Sequence, residues 1–177
     1  MDTENLNLDG THSLVKKTAE SVSYQLRKKG KTSNVLIMTD GKGITISIGN
    51  ILEGNHHDSF DILPQFSKMI KSLNSCGIHF PNSILNADKG FDGNVLRRAC
   101  HRRLIIPNII ENRRNRKRNK RGRKRFFNQQ INKRRFVNEK TFAWIDSFRT
   151  LLIRFDYLDK VWLNWHYLAC SIILLKV

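Results

Sequence analysis

Val35-Leu36-Ile37-Met38-Thr39-Asp40-Gly41-Lys42-Gly43-Ile44-Thr45-Ile46-Ser47-Ile48 decides the class of fold. A short apolar run is followed by the turn signal Asp40-Gly41, and Ile44, Ile46 and Ile48 then alternate with polar residues at period two. The reading is an antiparallel hairpin. Gly41 and Gly43 flank Lys42 with no phosphate-loop spacing behind them, so they are turn residues. Downstream, Asp58 is placed to cap a helix over 59–73, with Phe60, Leu63, Phe66 and Ile70 on one face. A strand over 83–87 ends at Asp88, a helix covers 94–102, and Leu104-Ile105-Ile106 forms a short strand stopped by Pro107.

A basic block interrupts this pattern. Between Arg113 and Arg125 stand ten basic residues among thirteen and no acidic one. Such a run repels itself and belongs in a solvated arm, here drawn over 112–127. Beyond it, Val137, Thr141, Trp144, Phe148, Leu151 and Phe155 recur at steps of four and three, predicting one long helix with a buried stripe. A last helix runs over about 157–175. The chain of 177 residues therefore reads as a single α/β domain, 1–177, a mixed sheet flanked by helices with a basic insertion before the last of them.

The balance of 32 Lys and Arg against 15 Asp and Glu gives a net charge of +17, and the pI is near 10.3. That is a footprint for a polyanion, nucleic acid above all. Cys76, Cys100 and Cys170 lie far apart, which argues against a disulfide framework and fits a reducing cytosol. The polar, acidic N-terminal stretch resembles no targeting signal. The apolar run over 161–177 is short for a bilayer span and carries Asn164 and His166, so a buried helix is expected and no membrane partner.

Isolated carboxylates in so basic a chain attract notice. Asp9 follows Leu6-Asn7-Leu8, Asp88 follows Ile84-Leu85, and Glu139 begins the predicted long helix. Carboxylates at neighbouring strand ends, joined by one from a packed helix, can hold Mg²⁺ or Mn²⁺. Two such ions about 4 Å apart suit in-line phosphoryl displacement. By spacing alone, however, acidic residues at turns and helix starts read more readily as caps. The other candidates read plainly too: His56-His57 as a turn, Trp144, Trp162 and Trp165 as core, and Asp9-Thr11-His12 as no nucleophilic set.

Resemblance adds to these readings. Asn86-Ala87-Asp88-Lys89-Gly90-Phe91-Asp92 resembles the A-D-K-G-Y-D signature of bacterial insertion-sequence DDE transposases. Arg135-Phe136-Val137-Asn138-Glu139, continued through Trp144, Phe148-Arg149 and Arg154-Phe155, is similar to that family's glutamate segment. Asp9-Gly10-Thr11-His12 and Gly54-Asn55-His56-His57-Asp58 match its two upstream motifs, in order. The resemblance implies a ribonuclease-H-like fold, with Asp9, Asp88 and Glu139 as the catalytic triad holding Mg²⁺ or Mn²⁺, two ions in all. It implies metal-dependent DNA cleavage followed by strand transfer, with Arg135 contacting phosphate or orienting the glutamate. DNA would be the partner, both as element ends and as target. Its contacts would come from Arg113, Arg114, Arg116, Lys117, Arg118, Lys120, Arg121, Arg123, Lys124, Arg125 and Arg135.

Two positions depart from the pattern. Asn132 stands where the family usually has tyrosine, and Asp146 where a basic residue is common. Only eight residues precede Asp9, which predicts a clipped first strand and an N-terminally truncated chain. An upstream-encoded DNA-recognition chain or a second copy would then be a further partner, in a bacterial, nucleoid-associated cytoplasm. The competing expectation is a catalytically inactive remnant that binds nucleic acid through its basic arm.

Overall fold

The computed structural model describes residues 2–57, 59–112 and 124–176. Seven strands, β1 (Asn5–Val15), β2 (Ser23–Gln25), β3 (Gly30–Asp40), β4 (Thr45–Glu53), β5 (Ile84–Ala87), β6 (Ile106–Ile109) and β7 (Ile153–Arg154), form one mixed sheet. Strand β1 lies between β3, antiparallel to it, and β5, parallel to it; β6 continues the parallel side, while β4 and β2 both pair β3. The helices are α1 (Ile62–Ser75), α2 (Asn94–His101), α3 (Gln129–Lys133), α4 (Val137–Asp146), α5 (Arg149–Leu152) and α6 (Asp159–Lys176). This is the ribonuclease-H-like mixed sheet flanked by helices that the resemblance implies.

Strand alternation sorts the residues between two cores. Leu6, Leu8, Leu36, Met38, Leu85 and Ala87 pack with Phe66 and Met69 of α1 and Leu96 and Cys100 of α2. Val35 and Ile37 point the other way, to Ile145, Leu151, Trp162 and Ala169. The unbroken run Val35–Met38 is thus a central strand covered on both faces. Period two places Asn7 and Asp9 opposite Leu6 and Leu8, on the face of the later helices.

The hairpin forms as expected, with one change. The β3–β4 register slips between Met38 and Thr39, so that Ile46 bulges and packs towards α1 while Ile48 joins the other core. Ile46 and Ile48 therefore do not share a face. Gly43 closes the turn at φ 85, and the Asp40 carboxylate accepts from the N–H groups of Lys42 and Ile44.

Other expectations change too. Strand β1 spans 11 residues, and Asp9 stands within it, not at its end. Pro107 lies inside β6 and does not stop it. Ile106 N–H donates to Ser83, so the Pro107 nitrogen faces the open edge, where no donor is needed. Leu104, at φ 58, holds the turn from α2 and delays the strand's start. Helix α1 begins at Ile62 with Asp61 at its N-cap; Asp58 lies outside the described residues. The long C-terminal helix is broken after Asp146, where Phe148 is extended at φ −86, ψ 111. Unwinding lets Ile153–Arg154 pair with the end of β1 and leaves Phe155 exposed. It also buries Arg154 completely, where it donates to Ser33 and Asp159 and lies 5.0 Å from the Trp162 ring centre. Among the described residues no helix is long and apolar enough to cross a membrane.

Candidate active site

Strands β1 and β5 run parallel with Leu8 opposite Ala87, and each is followed at once by an aspartate. The next step of the register is therefore Asp9 beside Asp88, on strands about 4.8 Å apart. On this side β1 is paired with β5 as far as Leu8 and with β7 from Leu14. Asp9 and His12 lie in the interval between those two pairings. The notch follows the carboxyl end of β5, where open α/β sheets commonly place their ligands.

Each aspartate is set by local contacts. The Asp88 backbone is extended, and its Oδ1 accepts from Lys89 N–H at 2.7 Å, capping the single 3-10 turn Lys89–Phe91. Gly90 lets His57 approach this turn: a Cβ there would meet His57 Cε1 at 2.9 Å. Asp9 Oδ1 accepts from Gly10 N–H at 3.0 Å, and its Oδ2 accepts from Arg135 Nη1 at 2.7 Å. The Arg135 and Asp9 side chains keep 25% and 20% of their exposure, so the pair is largely shielded from solvent.

A cleft of about 500 Å³ opens onto Asp88, lined also by His12, Tyr24, Arg27, Asn55 and His57. Of these, His12, Asn55 and His57 belong to the upstream motifs. Tyr24 and Arg27 carried no sequence signal, because only the path of the chain around β2 brings them to the cleft.

Glu139 lies in the first turn of α4 and is exposed. Among the described residues no three His, Cys, Asp or Glu side chains are gathered closely enough to hold one metal ion. The register thus aligns Asp9 with Asp88 on neighbouring strands, and among the described residues Asp9, Asp88 and Glu139 do not form one close group. Arg135 lies four residues before Glu139, in the single 3-10 turn Arg134–Phe136 that leads into α4.

Of the basic residues, Arg113, Arg114, Arg116, Lys117, Arg118, Lys120, Arg121 and Arg123 lie outside the described residues. Lys124 is exposed. Arg125 ion-pairs with Asp92 at 2.9 Å and with Glu111 at 3.5 Å. Asn132, which replaces the family's tyrosine, donates from Nδ2 to the Asn108 carbonyl at 3.0 Å and to the Ala87 carbonyl at 3.4 Å. It ties α3 to the strands on which the site is built.

The sequence reading had no role for Asp92. Its buried carboxylate accepts from Arg97 Nε, from Arg125 Nη1 and from Asn112 N–H. One side chain therefore holds Asn112 and Arg125, which stand on either side of 113–123.

Comparison with solved structures finds a Mos1 transposase paired-end complex with left transposon end, at TM-score 0.42 and 12% identity over 59% of this chain and 34% of that one. A Mos1 mariner paired end complex with Mn matches at TM-score 0.38 and 13% identity, over 56% and 33%. The chain thus spans about a third of the length of the solved chains it matches. Comparison with curated proteins finds no match. A family model described as DDE superfamily endonuclease matches residues 8–173, a span that takes in Asp9, Asp88 and Glu139, and the chain belongs to that family.

Proposed function

We propose that the chain is the catalytic domain of a DNA transposase of the insertion-sequence type, cutting DNA strands and joining the freed 3′ ends to target DNA. The observation that carries this reading is the register of two parallel strands that sets Asp9 beside Asp88 at the notch after β5. Two carboxylates there supply hard oxygen donors without thiolates, a donor set suited to Mg²⁺ or Mn²⁺. Asp9 and Asp88 would hold the ions, with Glu139 completing the set from the first turn of α4. When bound, such ions activate the attacking oxygen and stabilise the leaving one.

The chain's own residues do the rest. Arg135 neutralises Asp9 in the free protein and lies where a phosphate would approach. Arg27, His12 and His57 give the cleft donors for phosphate oxygens. The basic stretch Arg113–Arg125 supplies affinity with little sequence preference, since phosphate contacts position DNA without reading it. The element's ends and the target are the DNA partners. A recognition chain encoded upstream or a second copy would complete the assembly, in a bacterial cytoplasm near the nucleoid.

The second reading, a remnant that binds DNA without cutting it, is favoured by one observation: among the described residues Asp9, Asp88 and Glu139 do not form one close group. Nicking of supercoiled plasmid in Mn²⁺ separates the two. The proposal expects nicking by the wild type and its loss in D9N and D88N, with DNA binding kept. Binding without nicking by the wild type supports the remnant, and equal nicking by all three proteins refutes the assigned site.

A further inference from the structure

One row of side chains crosses the sheet directly behind the two aspartates. Thr39, Asn7, Asn86 and Asn108 are in register across β3, β1, β5 and β6, and all four are fully buried. Asn7 and Asn86 precede Asp9 and Asp88 by two residues, so the row lies on the same face as the carboxylates. The amides form a directed relay. Asn108 Nδ2 donates to Asn86 Oδ1 at 2.8 Å, Asn86 Nδ2 to Asn7 Oδ1 at 3.3 Å, and Asn7 Nδ2 to Thr39 Oγ1 at 3.4 Å.

Both ends of the relay leave the sheet for one helical segment. Thr39 Oγ1 donates to Asn138 Oδ1 at 2.7 Å, and Asn138 is the residue before Glu139. At the other end Asn108 Oδ1 accepts from Asn128 N–H at 2.7 Å, and the Asn108 carbonyl accepts from Asn132 Nδ2 at 3.0 Å. The stretch carrying Arg135 and Glu139 is thus pinned to the sheet before and after Arg135. On the same face of β3, Val35 and Ile37, the latter in register with Asp9, pack into an apolar cluster, so the polar row begins only at Thr39. Hydrogen bonds add a fixed direction and register that apolar packing lacks.

We propose that Thr39, Asn7, Asn86 and Asn108 are positioning residues for the metal site: the relay sets Asp9 against Asp88 and, through Thr39 and Asn138, sets Glu139 relative to both. The inference rests on the metal-ligand reading of those three carboxylates. Residues behind metal ligands commonly change affinity 10- to 100-fold, and about tenfold is expected here.

The test is Mn²⁺ titration calorimetry on the full chain. T39V removes only the hydroxyl link at nearly constant volume, and T39S restores the hydroxyl. T39V weakens Mn²⁺ binding about tenfold, T39S binds within about twofold of the wild type, and in an E139Q background T39V has no further effect. Three results overturn the positioning role alone: T39V matching the wild type, T39S as weak as T39V, or T39V costing the same with and without Glu139. Failure of the wild type to bind Mn²⁺, or unchanged binding by D88N, overturns the metal reading itself and this inference with it.

Discussion

Replacing Asp92 by alanine removes a carboxylate whose side chain is only 2% exposed and which ion-pairs with Arg97 at 2.9 Å and Arg125 at 2.9 Å. The two partners differ in what they lose. The Arg97 side chain is 7% exposed and would keep its bond from Nη2 to the Ile109 carbonyl at 2.7 Å. A buried charge stripped of its counter-charge costs about 3–5 kcal/mol. Arg125 is 26% exposed and turns to water at a cost below about 1 kcal/mol. The sum is about 4 kcal/mol, which lowers the melting temperature of a domain this size by roughly 10 °C. Urea denaturation of D92A, with R125Q as control, measures both. A loss under about 1 kcal/mol for D92A, or an R125Q cost equal to it, would refute the claim that Asp92 is a buried counter-ion.

Burial pushes the His166 imidazole down to about 4. Its folded pKa lies below the unfolded value, so the neutral ring's contribution is intact above pH 6.5 and is lost as pH falls towards 4. That loss is about 3 kcal/mol over the window. Urea midpoints of wild type and H166Q from pH 7 to 4 should therefore converge as pH falls, and parallel curves would contradict the assignment. DNA affinity should fall steeply with salt, and changing Arg113, Arg114, Arg116, Lys117 and Arg118 together to Gln should flatten the log-log slope by up to about 4.5. An unchanged slope would remove that stretch from the interface.

Local chemistry made much of this fold legible. The hairpin around Asp40-Gly41, helices α1 and α2, and the strand before Asp88 follow from periodicity and turn residues. What sequence misplaced depends on distant partners. The stripe from Val137 to Phe155 has helical spacing throughout, yet pairing of Arg154 with the end of β1 breaks the helix. Pro107 looked like a stop, because edge position is a property of the whole sheet. Asp9 and Asp88 could be named from their motifs, but their register could not be derived without knowing that β1 and β5 pair. The asparagine row was invisible for the same reason: Asn7, Asn86 and Asn108 lie far apart in sequence and each reads alone as an ordinary polar residue.

The most direct test of the account is where a divalent cation binds. Crystals of the chain soaked in Mn²⁺ should show an anomalous-scattering peak bridged by Asp9 and Asp88 oxygens at about 2 Å, with the Arg135 guanidinium moved off Asp9. A peak held by other residues, or none beside this pair at an Mn²⁺ concentration that supports nicking, would contradict the assignment of these aspartates as the floor of the site.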